Sequence, residues 1–312
     1  MQKIGVVGLG KMGGNIARKL IASKQFKVYG YDIDSKAAEI LAKDACHIVS
    51  TLDDLSASID EVKIVILSLP AGKIMEETLK RLYNWAGEIV ILDCSNSYYQ
   101  DSIERARILR EEHIDFLDVG ISGGIWGLEK GYCMMVGGDK TAYDKVSKVF
   151  EVLAQPEGYY LRIGESGSGH YVKMIHNGVE SAMMQAYAEG FHVLSKGLKR
   201  FGVKRASLSG IACLWNHGSV VRSWLLELIE KALMKDPELA KISGYTEDTG
   251  EGRWTIQEAI DLDVPVPTIA LALMERFHSR ENPDDQSPAH KLSAALRQEF
   301  GGHRVKTVDS KQ

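Results

Sequence analysis

Apolar and polar positions follow two different patterns along the chain, and the first of them fills its first half. There, short and nearly continuous apolar runs are separated by longer segments in which apolar residues recur at helical spacing. This alternation is typical of a parallel sheet covered by helices on both faces. Seven runs predict strands, namely KIGVVG (3–8), KVYGYD (27–32), KIVILSLP (63–70), EIVILDC (88–94), FLDVG (116–120), YCMMVGG (132–138) and YYLRIG (159–164). We therefore expect an α/β fold with a doubly wound parallel sheet.

The second pattern begins after Gly169 and is helical. Residues 170–201 have apolar positions at helical spacing, and the rest of the chain contains few strand-like runs. The Gly/Ser stretch GESGSG (164–169) separates the two patterns. We predict a sheet domain over residues 1–166 and an all-α domain over residues 167–312, which ends in a polar tail.

Composition and charge narrow the classes of partner. The 312 residues include 38 Lys and Arg against 42 Asp and Glu, which gives a net charge of −4 and no reason to expect nucleic acid or an anionic membrane as partner. The four cysteines lie far apart in the sequence, and the nine histidines form no HExxH motif, so we expect neither a disulfide scaffold nor a metal centre. No signal peptide or 18-residue apolar stretch is evident, which favours a soluble cytoplasmic protein.

A glycine-rich turn follows the first predicted strand. The segment GLGKMG (8–13) has the G-x-G-x-x-G pattern, and Asp32 ends the second strand 19 residues after the last glycine. This context predicts a Rossmann-type dinucleotide site with NAD as cofactor. Asp32 can accept hydrogen bonds from a ribose 2′-OH and would repel a 2′-phosphate, Asp34 adds to that repulsion, and Ile33 supplies no cation, so NADP is disfavoured. The predicted cofactor-binding residues are Gly8, Leu9, Gly10, Lys11, Met12, Gly13, Asp32, Ile33, Asp34, Leu69, Pro70 and Asn96.

Two later strands also end in small polar residues. Asn96 follows the fourth strand in DCSNSYY, and Ser122, Gly123 and Gly124 follow the fifth in ISGG. Ligands of open α/β sheets bind at this edge. Asn96 could equally be a helix cap or turn residue, and the two glycines could form a turn without a ligand.

The helix that begins near Gly169 carries a stripe of chemically active residues. At 100° per residue, its Lys, His, Asn and Glu side chains fall within an arc of about 100°. The neighbouring positions are apolar, whereas an exposed ion pair would contribute at most about 1 kcal/mol and would not need apolar surroundings. We therefore predict a functional face made of Lys173, His176, Asn177 and Glu180.

At this point six segments together resemble 6-phosphogluconate dehydrogenase, the decarboxylating enzyme, in its short-chain bacterial form. They are GLGKMG, DCSNSYY, ISGG, GSGHYVKMIHNGVE, GEGRWT and LRQEFGGH, which occur in this order between residues 4 and 303. The resemblance implies the oxidative decarboxylation of 6-phosphogluconate to ribulose 5-phosphate and CO2 in the pentose phosphate pathway. It further implies that Lys173 is the general base and Glu180 the general acid.

The resemblance also assigns a substrate site. The residues around the sugar acid would be Asn96, Ser122, Gly123, Gly124, His176 and Asn177. Arg253 and Arg276 would contact the phosphate, while Arg297 and His303 would reach the site of a partner subunit, because the family's tail crosses the dimer interface. Ser181 stands where the family usually has a phosphate-contacting Tyr, and Arg253 stands where it usually has Lys.

A further departure from the family concerns length. The long forms duplicate their helical half, and 312 residues leave room for one copy, so the resemblance implies that residues 167–312 bind substrate and form an obligate homodimer or homotetramer. The family's Asn-Arg pair that binds the NADP phosphate is replaced by Asp32 and Ile33, which agrees with a preference for NAD.

Two other functions compete with this interpretation. A β-hydroxyacid dehydrogenase, for example one acting on 3-hydroxyisobutyrate, shares the Rossmann half, the SGG loop and a helix with Lys and Asn four residues apart. A small unphosphorylated acid would not, however, require Arg253 and Arg276. A non-catalytic nucleotide sensor would have little use for Lys173 and Glu180 on one apolar helix.

Overall fold

A computed structural model describes residues 1–60, 62–203, 207–281, 287–303 and 305–306. The acidic segment Pro283-Asp284-Asp285, which its polar surroundings predict to be a solvated loop, and the end of the tail, 307–312, lie outside these ranges. The chain divides into two compact units, Met1–Met174 (unit 1) and Ile175–Gln312 (unit 2). No helix among the described residues is long and apolar enough to span a membrane.

Unit 1 contains one sheet of eight strands in the order β3-β2-β1-β4-β5-β6-β7-β8. The strands are β1 (Gln2–Val7), β2 (Phe26–Tyr31), β3 (His47–Ile48), β4 (Val62–Leu67), β5 (Glu88–Asp93), β6 (Ile114–Ser122), β7 (Cys133–Gly138) and β8 (Tyr159–Gly164). All seven predicted strands are present, and the predicted α/β fold is confirmed. The two-residue strand β3 was not predicted because it is too short to show a period.

The sheet differs from the prediction in one pairing. Within the part of the chain that the structure describes, β6 and β7 are antiparallel and the other neighbouring strands are parallel. Only residues 123–132 connect β6 to β7, whereas a parallel crossover needs a dozen or more residues. The short connection therefore forces the chain to turn back on itself.

Helices cover both faces of this sheet. They are α1 (Lys11–Ala22), α2 (Ser35–Ala42), α3 (Leu52–Ser58), α4 (Lys73–Leu82), α5 (Tyr99–Glu111), α6 (Gly127–Lys130) and α7 (Lys140–Ala154). Along β4, Ile64 and Ile66 belong to one buried cluster, while Val65 and Leu67 belong to another. Because successive strand residues point to opposite faces, the near-continuous apolar runs fill two separate cores.

Unit 2 is helical, as predicted. Helix α8 (Ser168–Gly197) begins in unit 1 and continues into unit 2. The helices that follow it are α9 (Leu208–Asn216), α10 (Trp224–Lys235), α11 (Glu251–Asp261), α12 (Pro267–Glu281) and α13 (Pro288–Gly301). Helix α10 packs against α9 and α13, and α11 packs against α12. The sequence predicts a domain boundary after residue 166, just before α8. The two units instead divide within α8, after Met174. The reason is that the first two turns of α8 pack on the sheet.

Candidate active site

The site in unit 1 lies along one straight edge of the sheet. Tyr31 pairs with Val7, Val7 with Leu67, Leu67 with Asp93, and Asp93 with Asp118, so these five residues form one row across five strands. Each predicted site residue of the sheet domain follows one of these five row residues in the sequence, at a distance of one to six positions. The structure thus brings the segments 8–13, 32–34, 69–70, 96 and 122–124 to the carboxyl edge of the sheet, where ligands of such folds bind.

The glycine turn has the form that a dinucleotide requires. Gly8 has φ +88°, and a side chain there would collide with the Ser68 carbonyl group. A side chain at Gly13 would collide with the Gly8 carbonyl oxygen, whereas the space around Gly10 is open to 4 Å. The backbone at Gly10 can therefore approach a pyrophosphate at the N-terminus of α1, which begins at Lys11.

Asp32 is held at the end of β2 by backbone donors. The Leu9 N–H donates to its Oδ2 atom at 2.6 Å, and the Asp34 N–H donates to its Oδ1 atom at 2.8 Å. The orientation of the carboxylate is thereby fixed beside the glycine turn, and its remaining lone pairs suit a ribose diol. Ile33 is 85% exposed, and the Asp34 carboxylate caps α2 by accepting the Lys36 N–H at 2.9 Å. These residues fit NAD and offer no cation for a 2′-phosphate.

Asn96 is exposed in a loop whose neighbours are buried and fixed. The carboxylate of Asp93 accepts the Ser95 N–H at 3.0 Å, the Ser97 hydroxyl at 3.3 Å and the Arg105 guanidinium at 3.2 Å. Arg105 also donates to the Ser97 hydroxyl at 2.8 Å. Sequence reasoning missed Asp93 and Arg105, although a charged residue at the end of an apolar strand was a visible signal. This network fixes the backbone that presents Asn96.

The start of α8 is fastened to β6 by a buried carboxylate. Asp118 accepts the Gly167 N–H at 2.7 Å and the His170 N–H at 2.9 Å, which satisfies two donors at the helix N-terminus. A side chain on Gly120 would collide with the Lys173 Cβ atom and would lie 2.7 Å from the Gly169 carbonyl oxygen. The absence of a side chain at Gly120 therefore lets α8 place Lys173 directly on the sheet edge.

The ISGG loop begins where β6 ends. Ser122 is the last residue of the strand, Gly123 has φ +119° and Gly124 has φ +54°. Positive φ angles favour glycine because a Cβ atom would clash with the backbone. Lys173 faces Gly120, two residues before Ser122, so unit 1 brings the loop and this lysine to one place.

The other three residues of the predicted stripe belong to unit 2. His176 Nδ1 lies 3.7 Å from Glu180 Oε2 and 3.3 Å from the Asn177 Oδ1 atom. Glu180 and His176 are partly buried, which reduces screening of their charges by water. Since Lys173 and Glu180 lie seven residues apart on one helix, they are separated by about 10 Å along its axis.

Two predicted arginines lie close to Glu180 in unit 2. The Arg276 guanidinium donates to the Ser181 hydroxyl at 2.5 Å, and burial lowers its pKa, partly offset by Glu180 and Glu251. The buried Arg297 donates to the Glu247 carbonyl oxygen; its pKa is lowered by burial and then by the charge of Arg276. A buried cation and a partly buried one that lie close enough for the charge of Arg276 to lower the pKa of Arg297 favour an anionic ligand.

Arg253 and His303 belong to the same unit as these two arginines. Arg253 is paired with the Asp248 carboxylate and stacks 4.5 Å above the Phe277 ring. Burial acts to raise the pKa of Asp248, but its hydrogen bonds with Arg253 and with the Gly250 N–H lower that pKa overall. His303 lines a small cavity with Arg297. Arg253 therefore forms an ion pair with the Asp248 carboxylate. His303 and Arg297 line the same cavity.

The tail contacts its own chain. The Lys306 carbonyl oxygen accepts the Ser243 N–H at 2.8 Å, and the Lys306 ammonium lies 3.3 Å from the centre of the Tyr245 ring. In the single chain, the described part of the tail therefore packs on unit 2.

One cluster was not singled out from the sequence. Glu275, His278 and His290 bring three potential metal-ligand atoms within 4.8 Å of one another. Sequence reasoning missed it because Glu275 and His278 belong to α12 whereas His290 belongs to α13, and no motif spans the turn between the helices.

Comparison with protein families and curated proteins relates the whole chain to one enzyme family. Residues 3–166 match the NAD binding domain of 6-phosphogluconate dehydrogenase, and residues 169–312 match the C-terminal domain of 6-phosphogluconate dehydrogenase. The chain is 38% identical to an NAD(+)-dependent, decarboxylating 6-phosphogluconate dehydrogenase of Haloferax volcanii, over 98% of this chain and 99% of that protein. It is 40% identical to the Bacillus subtilis protein YqeC over 96% of this chain and 98% of that protein. The name of YqeC describes it as a candidate 6-phosphogluconate dehydrogenase.

Solved structures show the same relationship. The 6-phosphogluconate dehydrogenase of Plasmodium falciparum superposes with a TM-score of 0.81 at 28% identity, over 96% of this chain and 70% of that one. A 3-hydroxyisobutyrate dehydrogenase of Mycobacterium tuberculosis superposes with a TM-score of 0.72 at 20% identity, over 96% of this chain and 99% of that one. At that identity the second likeness shows a shared fold alone.

Proposed function

Since the chain belongs to the 6-phosphogluconate dehydrogenase family, we propose that it oxidatively decarboxylates 6-phospho-D-gluconate to D-ribulose 5-phosphate and CO2, with NAD as the preferred cofactor. We place this reaction in the cytoplasm and in the pentose phosphate pathway. The observation that carries the proposal is the pair of arginines near Glu180, of which Arg297 is buried and Arg276 partly buried. This pair suits a phosphorylated acid and has no purpose for a small unphosphorylated one.

The proposed chemistry uses the two ionisable ends of the stripe on α8. Lys173, in its neutral form, takes the proton of the C3 hydroxyl group, and bound NAD supplies the hydride acceptor. The resulting ammonium group then transfers its proton to the carbonyl oxygen as CO2 leaves the 3-keto acid, which gives an enediol. Glu180 protonates C1 of the enediol while Lys173 takes back the hydroxyl proton, so that the ketone forms. The fixed position of Lys173 against Gly120 supports its role as the base.

The proposed substrate contacts divide into phosphate contacts and contacts with the sugar acid. We assign Arg276 to the phosphate, with the Ser181 hydroxyl as the group that Arg276 already contacts. Arg253 would join them by exchanging Asp248 for the phosphate, to which a guanidinium can bind through two hydrogen bonds. The proposed sugar-acid contacts are Asn96, Ser122, Gly123, Gly124, His176 and Asn177.

The proposed cofactor preference rests on the fixed Asp32 carboxylate and the neutral Ile33 beside it. Comparing kcat/KM for the two cofactors tests it, and a tenfold advantage for NADP would contradict it. The double variant Asp32→Asn with Ile33→Arg should move the preference toward NADP, because it removes the repelling charge and adds a cation. Lys36→Arg, in the same helix start but outside the predicted site, is the matched control and should change neither value.

We also propose that the active enzyme is a homodimer or homotetramer in which Arg297 and His303 serve the substrate site of a partner subunit. Large apolar side chains exposed on unit 2, such as Leu214, Met234 and Leu271, support an association between copies. In the single chain both tail residues contact their own unit 2, so the proposal requires the tails to exchange.

Hybrid enzymes test this exchange. Lys173→Ala is co-expressed with the tail variant Arg297→Gln/His303→Ala, after each variant alone has been shown to fold and to be inactive. If tails cross in a dimer, half of the dimers are hybrids with one intact site each, and about a quarter of wild-type activity returns. No recovery in a verified hybrid dimer would show that each tail serves its own chain.

One assay separates the proposed function from its two competitors. The protein is incubated with NAD and 6-phosphogluconate, and NADH and CO2 are measured together. Equal amounts of both products support the proposal. NADH without CO2 would indicate a hydroxyacid dehydrogenase, and neither product would indicate a nucleotide-binding protein without this activity.

A further inference from the structure

A cluster of two histidines and one glutamate joins α12 to α13 within unit 2. His290 Nε2 lies 3.0 Å from Glu275 Oε2, and His278 Nδ1 lies 3.8 Å from the same oxygen atom. The two imidazole rings are 5.9 Å apart between their centres and meet edge to face. Three ligand atoms of the types that transition metals prefer thus converge on one point from two helices.

The spacing suits a tetrahedral ion. Zinc binds imidazole nitrogen and carboxylate oxygen at about 2.0 Å, which puts neighbouring ligand atoms about 3.3 Å apart. The distances of 3.0 Å and 3.8 Å bracket this value. His278 is 65% exposed, so its ring can adjust without disturbing the core, while His290 is held in place by its burial. The ligand atoms of the two histidines lie within 4.8 Å of each other, and rotation of the exposed His278 side chain would bring this third pair to the required spacing.

Unsatisfied hydroxyl groups lie beside the cluster. Glu275 and His290 line a cavity together with Thr246 and Ser293. The hydroxyl groups of Thr246 and Ser293 are buried and have no hydrogen-bond partner among the described residues. Buried hydroxyl groups without partners are uncommon, and water bound to a metal ion would supply the missing hydrogen bonds.

We propose that Glu275, His278 and His290 bind one divalent transition-metal ion, such as Zn²⁺, with water in the remaining coordination position. None of the three residues has a role in the reaction proposed above, but the cavity that Glu275 and His290 line also includes Ser181 and Arg276 of the proposed phosphate site. Imidazole and carboxylate ligands favour Zn²⁺, Ni²⁺ or Cu²⁺ over Mg²⁺ and Ca²⁺, which bind oxygen ligands.

Isothermal titration of the metal-stripped, full-length protein with Zn²⁺ at pH 7 tests the proposal. We expect one ion per chain at this site, and His278→Ala should weaken its binding at least about tenfold. Because His278 is exposed, this variant should keep the wild-type melting temperature in the absence of metal. His113→Asn is the matched control: it removes an exposed histidine of unit 1, and Asn tolerates the positive φ of that position.

A second variant tests a competing pair of potential zinc ligands, which lie four residues apart in the sequence. Cys213 Sγ, on α9, lies 3.9 Å from Nδ1 of His217, the residue that follows this helix, and a free thiol can also bind zinc. Cys213→Ser should leave the binding isotherm unchanged. Unaltered Zn²⁺ affinity in His278→Ala, loss of binding in Cys213→Ser, or the absence of binding to the wild-type protein would each overturn the proposal.

Discussion

The two units of the chain bury their apolar residues in different ways. Unit 1 fills both faces of its sheet, and the two hydrophobic clusters found among the described residues lie within it. Unit 2 buries leucines between α10 and α13, yet each of the helices α8 to α12 exposes at least one large apolar side chain. Examples are Val193, Leu214, Met234, Ile260 and Leu271. Unit 1 thus has two hydrophobic clusters of its own, although it also exposes apolar side chains such as Tyr159 and Leu161, while the proposed association between copies would cover apolar side chains of unit 2.

The units also differ in how they hold their polar residues. In unit 1 the carboxylates of Asp32, Asp93 and Asp118 each accept backbone N–H groups, which fixes the loops that follow the strands. In unit 2 the cations Arg253 and Arg276 contact side chains that a ligand could replace. The comparison indicates that unit 1 fixes positions, whereas unit 2 supplies exchangeable charge.

The largest expected effect concerns Lys173, the proposed base, whose position unit 1 fixes. Lys173→Ala should lower kcat by about two to four orders of magnitude, because it removes the proposed proton acceptor, while KM changes little. Steady-state kinetics with NAD and 6-phosphogluconate measure both constants. Lys196→Ala, an exposed lysine near the end of the same helix, is the control and should retain wild-type kcat. Near-normal turnover in Lys173→Ala would refute the assignment.

The next effect concerns the charge that unit 2 supplies. Arg276→Ala should raise KM for 6-phosphogluconate by about 10 to 100 times, since a charge-assisted hydrogen bond contributes about 1.5–3 kcal/mol. Arg222→Ala removes an exposed arginine of the same unit and should leave KM unchanged. An equal loss of affinity in both variants would mean that Arg276 acts only through net charge.

A glycine substitution tests the contact between the sheet edge and α8. Gly120→Ala should destabilise the protein by about 1–3 kcal/mol, because the new Cβ atom would overlap that of Lys173. Gly190 lies on α8 with open space around it, so Gly190→Ala should instead stabilise the protein by up to about 1 kcal/mol. Chemical denaturation measures both free energies of unfolding. A neutral Gly120→Ala would show that the helix can move away from the strand at no cost.

The smallest effect belongs to an exposed cap in unit 1. The Asp139 carboxylate accepts the Thr141 and Ala142 N–H groups at the start of α7, and these hydrogen bonds lower its pKa. Asp139→Ala should cost about 1 kcal/mol at neutral pH, and Asp139→Asn, which also caps helices, should cost less.

The sign of its pH dependence follows from that lowered pKa. The contribution of the charged cap is present above the pKa of the unfolded chain and is lost as the pH falls through the lower pKa of the folded chain. Unfolding measured at neutral and acidic pH should therefore show the difference between wild type and Asp139→Asn disappear in acid. A constant difference would mean that charge plays no part in the cap.

Sequence patterns predicted most of unit 1 because strand runs and the glycine motif are local signals. The seven predicted strands, the NAD-binding domain and the family resemblance are confirmed. The antiparallel β7 was missed because strand direction depends on the length of a connection that itself contains short helical turns. The network around Asp93 and Arg105 was missed because it joins a strand end to a helix further along the chain.

Less of unit 2 could be predicted in detail. The stripe on α8 was visible because helical spacing places its members on one face, whereas the approach of Arg297 to Arg276 depends on how α12 and α13 pack. The same limit applies to Glu275 and His290, which meet only through the packing of two helices. Assignments to the individual site residues remain predictions that the experiments above test.

The row of paired residues from Tyr31 to Asp118 has a consequence for how such proteins diversify. Because the register is set within the strands, a loop beyond the row can gain, lose or exchange residues while the sheet stays unchanged. A frame of this kind allows selection to alter chemistry one loop at a time. If loops change independently of the sheet, sequences should diverge over long evolutionary times while the fold is kept. The fold that this chain shares with a 3-hydroxyisobutyrate dehydrogenase at 20% identity agrees with this expectation.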